Sequence, residues 1–277
     1  MKFPVIFASC IYLLLAATCG AQNVPTQQSI EAKLHGSPFL MLRGMWDGDE
    51  LAFDSQGNLV GTAEKMFFSL SAVAVTQIQL TDTQLEIRGS RAGLEFSYKQ
   101  PSADFAKSLK ISASPYGKQE GLDVVIARDV QHPEALDAAL DKVFSVGIDE
   151  KLVAAAPFYW QSLLAQHLHP GQKASQQASA DQTYHPGGGV RNPILKYAPD
   201  DLLQREVKLL RVTGVSVIGL VVDENGMPQR VQVVRPLGMG SDEYAVAEVL
   251  QYRFTPAIYR GRAVPVEINI EVNFRRY

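Results

Sequence analysis

The sequence predicts an α+β protein with two domains: a β-rich α+β domain, followed by a smaller C-terminal domain built on a three-stranded sheet. The chain has 277 residues, more than the usual length of about 100 to 200 residues for a single domain. Residues 169–190 are rich in Gln, Ser, Ala, Gly and Pro and contain little that could be buried. We interpret them as a flexible linker between domains at 22–168 and 191–277. An ordered surface loop is the alternative.

Residues 1–21 have the pattern of an export signal. Lys2 is followed by an uncharged apolar stretch, and small residues precede Gln22. We expect cleavage after Ala21 and location in the periplasm or cell envelope. The alternatives are retention as an inner-membrane anchor and lipid attachment at Cys19. Both cysteines, Cys10 and Cys19, lie in this segment, so the mature chain would contain no disulfide and no thiolate metal site.

The N-terminal domain is predicted to be a meander of short strands followed by two helices. Between about Leu34 and Ala127, apolar stretches alternate with turn residues. The stretches are PFLMLRGMW, ELAF, KMFFSLSAVAVTQIQL, LEIRG, LEFSY and LDVVIA. The segments PEALDAALDKVF and DEKLVAAAPFYWQSLLAQ repeat their apolar residues every three or four positions, which predicts helices. Pro157 is expected to break or kink the second helix.

The C-terminal domain begins with a predicted helix over residues 199–211, with acidic residues in its first turn and basic residues in its last. Residues 214–223 and 229–235 are predicted strands. Asn225 and Gly226 between them are the typical signal of a hairpin turn. The two strands should therefore be antiparallel neighbours.

A second helix is predicted after the hairpin. Ser241 is expected to cap it, and Asp242 and Glu243 would occupy its first turn, where the helix dipole favours acidic side chains. It should end near Arg253, because Pro256 disfavours helical geometry at the residue before it.

The last strand alternates apolar and polar residues, from Val264 to Phe274, so its apolar side chains share one face. If the sheet is antiparallel throughout, the helical crossover places this strand beside the first, which gives the spatial order second, first, third. The last strand is then an edge, and an edge presents unpaired backbone groups to any matching strand. We predict that it binds a partner by strand addition. The alternative is an ordinary edge that only stabilises a small domain. The predicted binding residues are Val266, Glu267, Ile268, Asn269, Ile270, Glu271, Val272, Asn273 and Phe274.

The ordered series of motifs in this half is distinctive. It comprises GVSVIGLVVD, the hairpin DENGMPQRVQVVRPLG, the helix DEYAVAEVLQYRF with TPA after it, the spacer YRGRAVPV, and the terminal strand ending in VNF. Residues from about 190 to 277 thereby resemble the C-terminal domain of TonB-type energy transducers. The resemblance implies two helices on one face of a three-stranded antiparallel sheet, and a non-enzymatic role in the periplasm of a two-membrane bacterium. It also implies that a short segment of an outer-membrane transporter binds as an added strand along Val266 to Phe274.

Two features depart from the transducers of this family. Transducers keep a membrane helix that contacts an inner-membrane motor complex, whereas this N-terminal segment has the pattern of a cleavable signal. Their periplasmic span is long and rich in proline, whereas the predicted linker would reach only about 25 Å as a random coil. We therefore expect an outer-membrane transporter or another envelope protein as the partner, with energy transduction for transport as one role. A structural module that forms homodimers through its edge strands is the alternative. Membrane contact is expected only if the N-terminal segment is retained.

No stretch of the sequence has the pattern of a P-loop, a nucleophile elbow or a zinc-protease helix, so we predict no enzymatic activity and no cofactor. The formal net charge is −3, and neither half is basic enough to indicate binding to nucleic acid. The triple glycine at 187–189 lacks the Lys-Ser/Thr of a phosphate loop and is interpreted as part of the linker.

Two groups of residues were considered as metal ligands. His167, His169 and His185 flank the linker, but nothing in the sequence fixes their geometry. A second group surrounds two turns without the spacing of a calcium loop, and we interpret its members as solvated turn carboxylates. They are Asp47, Asp49, Glu50 and Asp54. Trp46 and Trp160 are predicted to be core or interface residues.

Overall fold

The structure is a computed structural model of the chain. It describes residues 24–36, 39–98, 108–116, 121–171, 183–199 and 212–275. The predicted export signal, and the predicted helix at 199–211 apart from Pro199, lie outside these residues. In the described ranges, no helix combines the length and the apolar character needed to span a membrane.

Seven strands form one sheet in the N-terminal part. They are β1 (Leu40–Leu42), β2 (Glu50–Phe53), β3 (Ala72–Leu80), β4 (Gln84–Ser97), β5 (Lys110–Pro115), β6 (Gly121–Ala127) and β7 (Phe144–Val146). Their order is β2-β6-β4-β3-β1-β7, and β5 also pairs with β4. β2 and β6 are parallel, and the other named pairs in this sheet are antiparallel. The β-rich character predicted for this part is confirmed.

The segments LEIRG and LEFSY were predicted as two separate strands. This prediction was wrong, because the single strand β4 runs through both segments without a break. Its glycines allow close packing instead of forming a turn. A Cβ on Gly89 would lie 2.3 Å from the carbonyl oxygen of Ala74 on β3. A Cβ on Gly93 would lie 2.3 Å from the Met239 sulfur, which belongs to the C-terminal part. The second glycine thus lets the two halves approach each other.

Four helices are described in the N-terminal part: α1 (Gln27–His35), α2 (Ala135–Val143), α3 (Glu150–Ala155) and α4 (Phe158–Leu168). Helix α1 was not predicted, and Thr26 begins it with a capping box. Pro157 separates α3 from α4, as expected. Asp149 caps α3 by accepting from Leu152 N at 2.7 Å. Arg43 donates to both carboxylate oxygens of Asp149 and, as the largest cause, lowers the pKa of that group to about 2.

Three strands form the C-terminal sheet: β9 (Gly214–Val222), β10 (Pro228–Arg235) and β14 (Val266–Phe274). Their order is β10-β9-β14 and both pairs are antiparallel, as predicted. The hairpin turns at Gly226, which has φ of 79°. The Asp223 carboxylate supports that turn by accepting from Asn225 N and Met227 N, both at 2.8 Å.

Two short ribbons and one helix complete the described C-terminal part. The ribbons pair β8 (Ile194–Tyr197) with β11 (Arg253–Thr255), and β12 (Ala257–Tyr259) with β13 (Arg262–Val264). The helix is α5 (Ser241–Val249), and it contacts β9, β10 and β14. Ser241 was predicted as its cap, but it is the first helical residue. Gly240 precedes it at φ 79° because a left-handed turn leads into the helix, and the Ser241 hydroxyl donates to Gly238 O at 2.5 Å.

One hydrophobic cluster joins the two parts of the chain. It contains Phe68 and Trp160 from the N-terminal part together with Ile218, Val246 and Val266 from the C-terminal part. Helix α4 packs against β10, so an N-terminal helix covers part of the C-terminal sheet. A second cluster lies within the N-terminal part alone. Trp160 is completely buried and stacks on Phe96 with ring centroids 5.4 Å apart, which confirms it as a core residue.

A buried carboxylate at the start of α5 stabilises the contact between the N-terminal and C-terminal parts. Glu243 is 3% exposed and accepts three hydrogen bonds from the N-terminal part. Ser69 donates from its backbone N at 2.9 Å and from its hydroxyl at 2.8 Å, and Trp160 Nε1 donates at 3.1 Å. Gly240 N donates to the same Ser69 hydroxyl at 2.9 Å. Burial raises the pKa of Glu243 despite these bonds.

The neighbouring Asp242 holds the loop that precedes α5. It is fully buried and accepts from Gly238 N at 2.7 Å, Leu237 N at 2.9 Å and Ser216 Oγ at 2.5 Å. Burial and the adjacent Glu243 raise the pKa of Asp242 to about 7. These two carboxyls therefore stabilise different contacts, one within the C-terminal part and one between the two parts.

Replacing Glu243 by Ala should lower the free energy of unfolding by about 3 kcal/mol, because the Ser69 and Trp160 donors would stay buried without an acceptor. Urea unfolding followed by tryptophan fluorescence measures the change. The exposed Glu224 in the β9–β10 turn is the matched control, and Glu224→Ala should change stability by less than about 0.5 kcal/mol. Equal losses in the two variants would contradict this role for Glu243.

The contribution of Asp242 to stability should be lost as the pH rises from about 4 to about 7. The pKa of Asp242 is raised from its ordinary 3.8 to about 7, so the folded state holds more protons than the unfolded chain in this range, and raising the pH favours unfolding. The lowered pKa of Asp149 acts in the opposite direction, but only below pH 4. Urea unfolding at several pH values should show a shallower slope for Asp242→Asn. An unchanged slope would show that Asp242 does not titrate in this range.

Candidate functional site

Strand β14 is a regular edge of the C-terminal sheet. It pairs with β9 over nine consecutive residues without a register shift, from Val266 opposite Val222 to Phe274 opposite Gly214. The opposite edge differs, because β10 has two register shifts against β9. Arg230 on β10 has a positive φ of 48°, and bulges of this kind hinder the addition of a strand. Of the two edges, β14 is the one suited to accept a partner.

Alternate residues of β14 present their backbone groups to the open side. Glu267 N donates outward to Tyr184 O at 2.9 Å, so its N–H does not point toward β9. In an antiparallel ladder the direction alternates along the strand. Asn269, Glu271 and Asn273 therefore also direct N–H and C=O outward, whereas the intervening residues bond to β9. Beyond Tyr184, no described residue pairs with this side of β14.

The nine predicted residues divide between two faces of the sheet. Val266, Val272 and Phe274 are buried in the joint cluster, and Ile268 and Ile270 are partly buried against it. Glu267 is half-buried on the opposite, polar face, where Asn269, Glu271 and Asn273 are exposed. The alternation predicted from the sequence is therefore present. The sequence did not distinguish the positions that face outward from those that bond to β9.

Tyr184 occupies the beginning of this edge, which the sequence did not predict. Its N donates to Pro265 O at 2.9 Å, and its O accepts from Glu267 N, which makes one rung of a parallel pairing with Val266. Tyr184 lies in the range predicted as a flexible linker, of which residues 172–182 are outside the described part. A pairing of a single residue uses only backbone atoms, so no side-chain pattern indicates it.

The polar face of the edge carries two glutamates, each with a basic side chain nearby. The Glu267 carboxylate lies 3.9 Å from His185 Nδ1, and the Glu271 carboxylate lies 3.4 Å from Arg235 Nη2 on β10. A shallow pocket at this end of the strand is lined by His185, Pro186, Glu267, Ile268 and Asn269.

Two of the candidate metal ligands, His169 and Asp54, contact other groups in the fold. His169 contacts the Glu150 carboxylate, and burial lowers the pKa of His167. Asp54 is a turn carboxylate, which accepts from Gln56 N at 2.9 Å and Asn58 N at 2.8 Å. In the portion of the chain that the structure describes, no three His, Cys, Asp or Glu side chains form a cluster suited to a metal ion.

Residues 205–275 match the family described as Gram-negative bacterial TonB protein C-terminal. This part of the chain is a TonB C-terminal domain. The match includes β9, β10, α5 and the whole of β14, and the N-terminal part lies outside it. No curated protein matches the chain, and no solved structure matches it. TonB C-terminal domains are non-enzymatic interaction domains of the cell envelope that contact outer-membrane proteins.

Hydrogen exchange should distinguish the two sides of β14 in the TonB C-terminal domain. The outward amides of Asn269 and Glu271 should exchange roughly tenfold or more faster than those of Ile268 and Ile270, which bond to β9. The Glu267 amide is the internal control because it also faces outward but donates to Tyr184, and it should be protected. Equal protection of Asn269 and Ile270, measured by NMR, would show that the edge is covered.

Proposed function

We propose that this protein is a non-enzymatic envelope protein whose TonB C-terminal domain binds an extended segment of another envelope protein as a strand added to β14. The partner is an outer-membrane transporter, in the setting of TonB-type energy transduction. The observation that carries the proposal is the edge itself, which pairs with β9 over nine residues without a register shift and has outward N–H and C=O groups at Asn269, Glu271 and Asn273. The periplasmic location rests on the expected export signal and cleavage after Ala21.

Strand addition suits this surface because main-chain hydrogen bonds give affinity while alternate side chains give specificity. The apolar face of β14 is already used in the core, where Val266, Val272 and Phe274 are buried. An incoming strand would therefore meet mainly backbone atoms and the polar face. The N-terminal part supports the domain by packing α4 against β10, which leaves β14 as the accessible edge.

Self-association through two β14 strands is the second candidate, and the charges of the edge oppose it. In an antiparallel pair centred on Asn269, Glu267 of one copy would lie opposite Glu271 of the other. A pair centred on Glu271 would place two copies of that carboxylate opposite each other. Like charges directly opposite across two strands are destabilising. The edge therefore favours a different chain as its partner.

A substitution that removes one outward N–H tests the proposal. Asn269→Pro deletes a donor on the open side and leaves the bonds to β9 in place, a position where edge strands accept proline. Asn269→Ala is the matched control because it keeps the backbone group. A photo-crosslinking residue at Asn273 should capture an outer-membrane transporter in cells of the native host. Asn269→Pro should reduce this capture roughly three- to tenfold, the effect of losing about one hydrogen bond, and Asn269→Ala should not.

The alternative outcomes are distinct. Capture of a second copy of the chain would favour self-association. Capture that Asn269→Pro and Asn269→Ala reduce equally would show that the side chain, and not strand addition, is recognised. The absence of any captured envelope protein would contradict the proposal. Circular dichroism of both variants confirms that the sheet is intact.

A further inference from the structure

The pairing of Tyr184 with β14 stops after one rung because of the next residues in the chain. A parallel ladder would continue with an N–H of residue 186 donating to Glu267 C=O. Residue 186 is proline and has no N–H to donate. Gly187, Gly188 and Gly189 follow at φ of 104°, 57° and 87°, a left-handed conformation that glycine adopts readily. The segment Tyr184–Gly189 thus pairs once and then turns off the edge.

This segment is held at both ends. The Tyr184 ring packs on Tyr259 with centroids 5.2 Å apart, and Tyr184 is bonded to both Pro265 and Glu267. After the glycines, Arg191 exchanges two backbone hydrogen bonds with Ile258, at 2.9 and 3.1 Å. An added strand would meet this anchored segment and could not extend past it. The open edge therefore runs from Glu267 C=O to Asn273, which corresponds to about six residues of an added strand.

The charge of the edge limits the composition of that strand. Glu267 and Glu271 lie on the same face, on either side of Asn269. The Glu271 carboxylate contacts Arg235 on β10 at 3.4 Å, but its side chain is 64% exposed, which leaves room for a second cation. A partner residue opposite Glu271 would lie about 5 Å from it, and one opposite Asn269 would lie diagonally between the two carboxylates. Basic side chains at these two positions would pair with the carboxylates.

We propose that the segment Tyr184–Gly189 ends the acceptor edge of β14, so that the edge admits a strand of about six residues that carries Lys or Arg at the two alternate positions opposite Asn269 and Glu271, within reach of the Glu267 and Glu271 carboxylates. This inference rests on the proposed function, since it specifies the strand that β14 accepts. The anchored segment sets the length and the register of that strand, and the two carboxylates set its charge.

Random eight-residue peptides displayed on phage and selected on the full chain test this inference. The selected peptides should carry Lys or Arg at two positions separated by one residue. Their affinity should fall about three- to tenfold for the double variant Glu267→Gln and Glu271→Gln, which preserves side-chain size, and should fall with added salt. In a truncation series the affinity should reach its full value at about six residues. Selection on Glu267→Lys with Glu271→Lys should yield acidic peptides instead.

Failure of this inference and failure of the proposed function give different results. Peptides that bind Asn269→Pro as well as the unaltered chain do not use the edge, and finding them would overturn both the inference and the proposed function. A selection that enriches no peptide would also overturn both. Peptides that lose affinity for Asn269→Pro but show no basic preference would overturn the inference alone. The same conclusion would follow if affinity continued to rise beyond about eight residues, since the strand would then pass Pro186.

Discussion

The hydrogen bonds to Glu243 determine how the two parts of this chain sit together. A carboxylate loses most of its hydration when it is buried, and only well-placed donors offset that cost. Here all three donor bonds come from Ser69 and Trp160 in the N-terminal part, whereas Glu243 begins helix α5 of the C-terminal part. Separating the two parts would break these three hydrogen bonds, and the Glu243 carboxylate and its donors would then have to bond to water or stay unsatisfied. The geometry of the C-terminal sheet therefore depends on the N-terminal part as well as on its own core.

The two edges of the C-terminal sheet differ in their pairing and in their neighbours. Strand β10 lies against helix α4 and has two register shifts, so it offers no continuous row of backbone groups. Strand β14 lies at the other side and pairs with β9 without a register shift. Its first rung is used by Tyr184, and the rest of its outward groups have no partner strand among the described residues. The strand addition that we propose is thereby restricted to one edge and to one stretch of it.

Local patterns predicted the elements that local physics dictates. The alternation along β14, the Asn225-Gly226 turn and the helical crossover gave the correct order of the three strands, because each follows from neighbouring residues. The role of Glu243 was not predicted, since its partners Ser69 and Trp160 are 174 and 83 residues away in the chain. The helix dipole accounts for an acidic residue in that turn without requiring its burial. The distinction between outward and inward positions of β14 depends on the pairing with β9, which only the fold specifies.

Strand β14 forms the open edge of the sheet and also takes part in the hydrophobic cluster that joins the two parts of the chain. Residues of β14 at even positions, including Val266 and Phe274, belong to the cluster that also contains Trp160 and Val246. Residues at odd positions present the outward backbone groups. The hydrogen bonds from β14 to β9 run perpendicular to the strands, so a pull along an added strand would load these bonds together and not one after another. That load would pass into the joint core and then to the N-terminal part through Glu243. The two-residue period of β14 therefore supplies both the recognition edge and its anchorage.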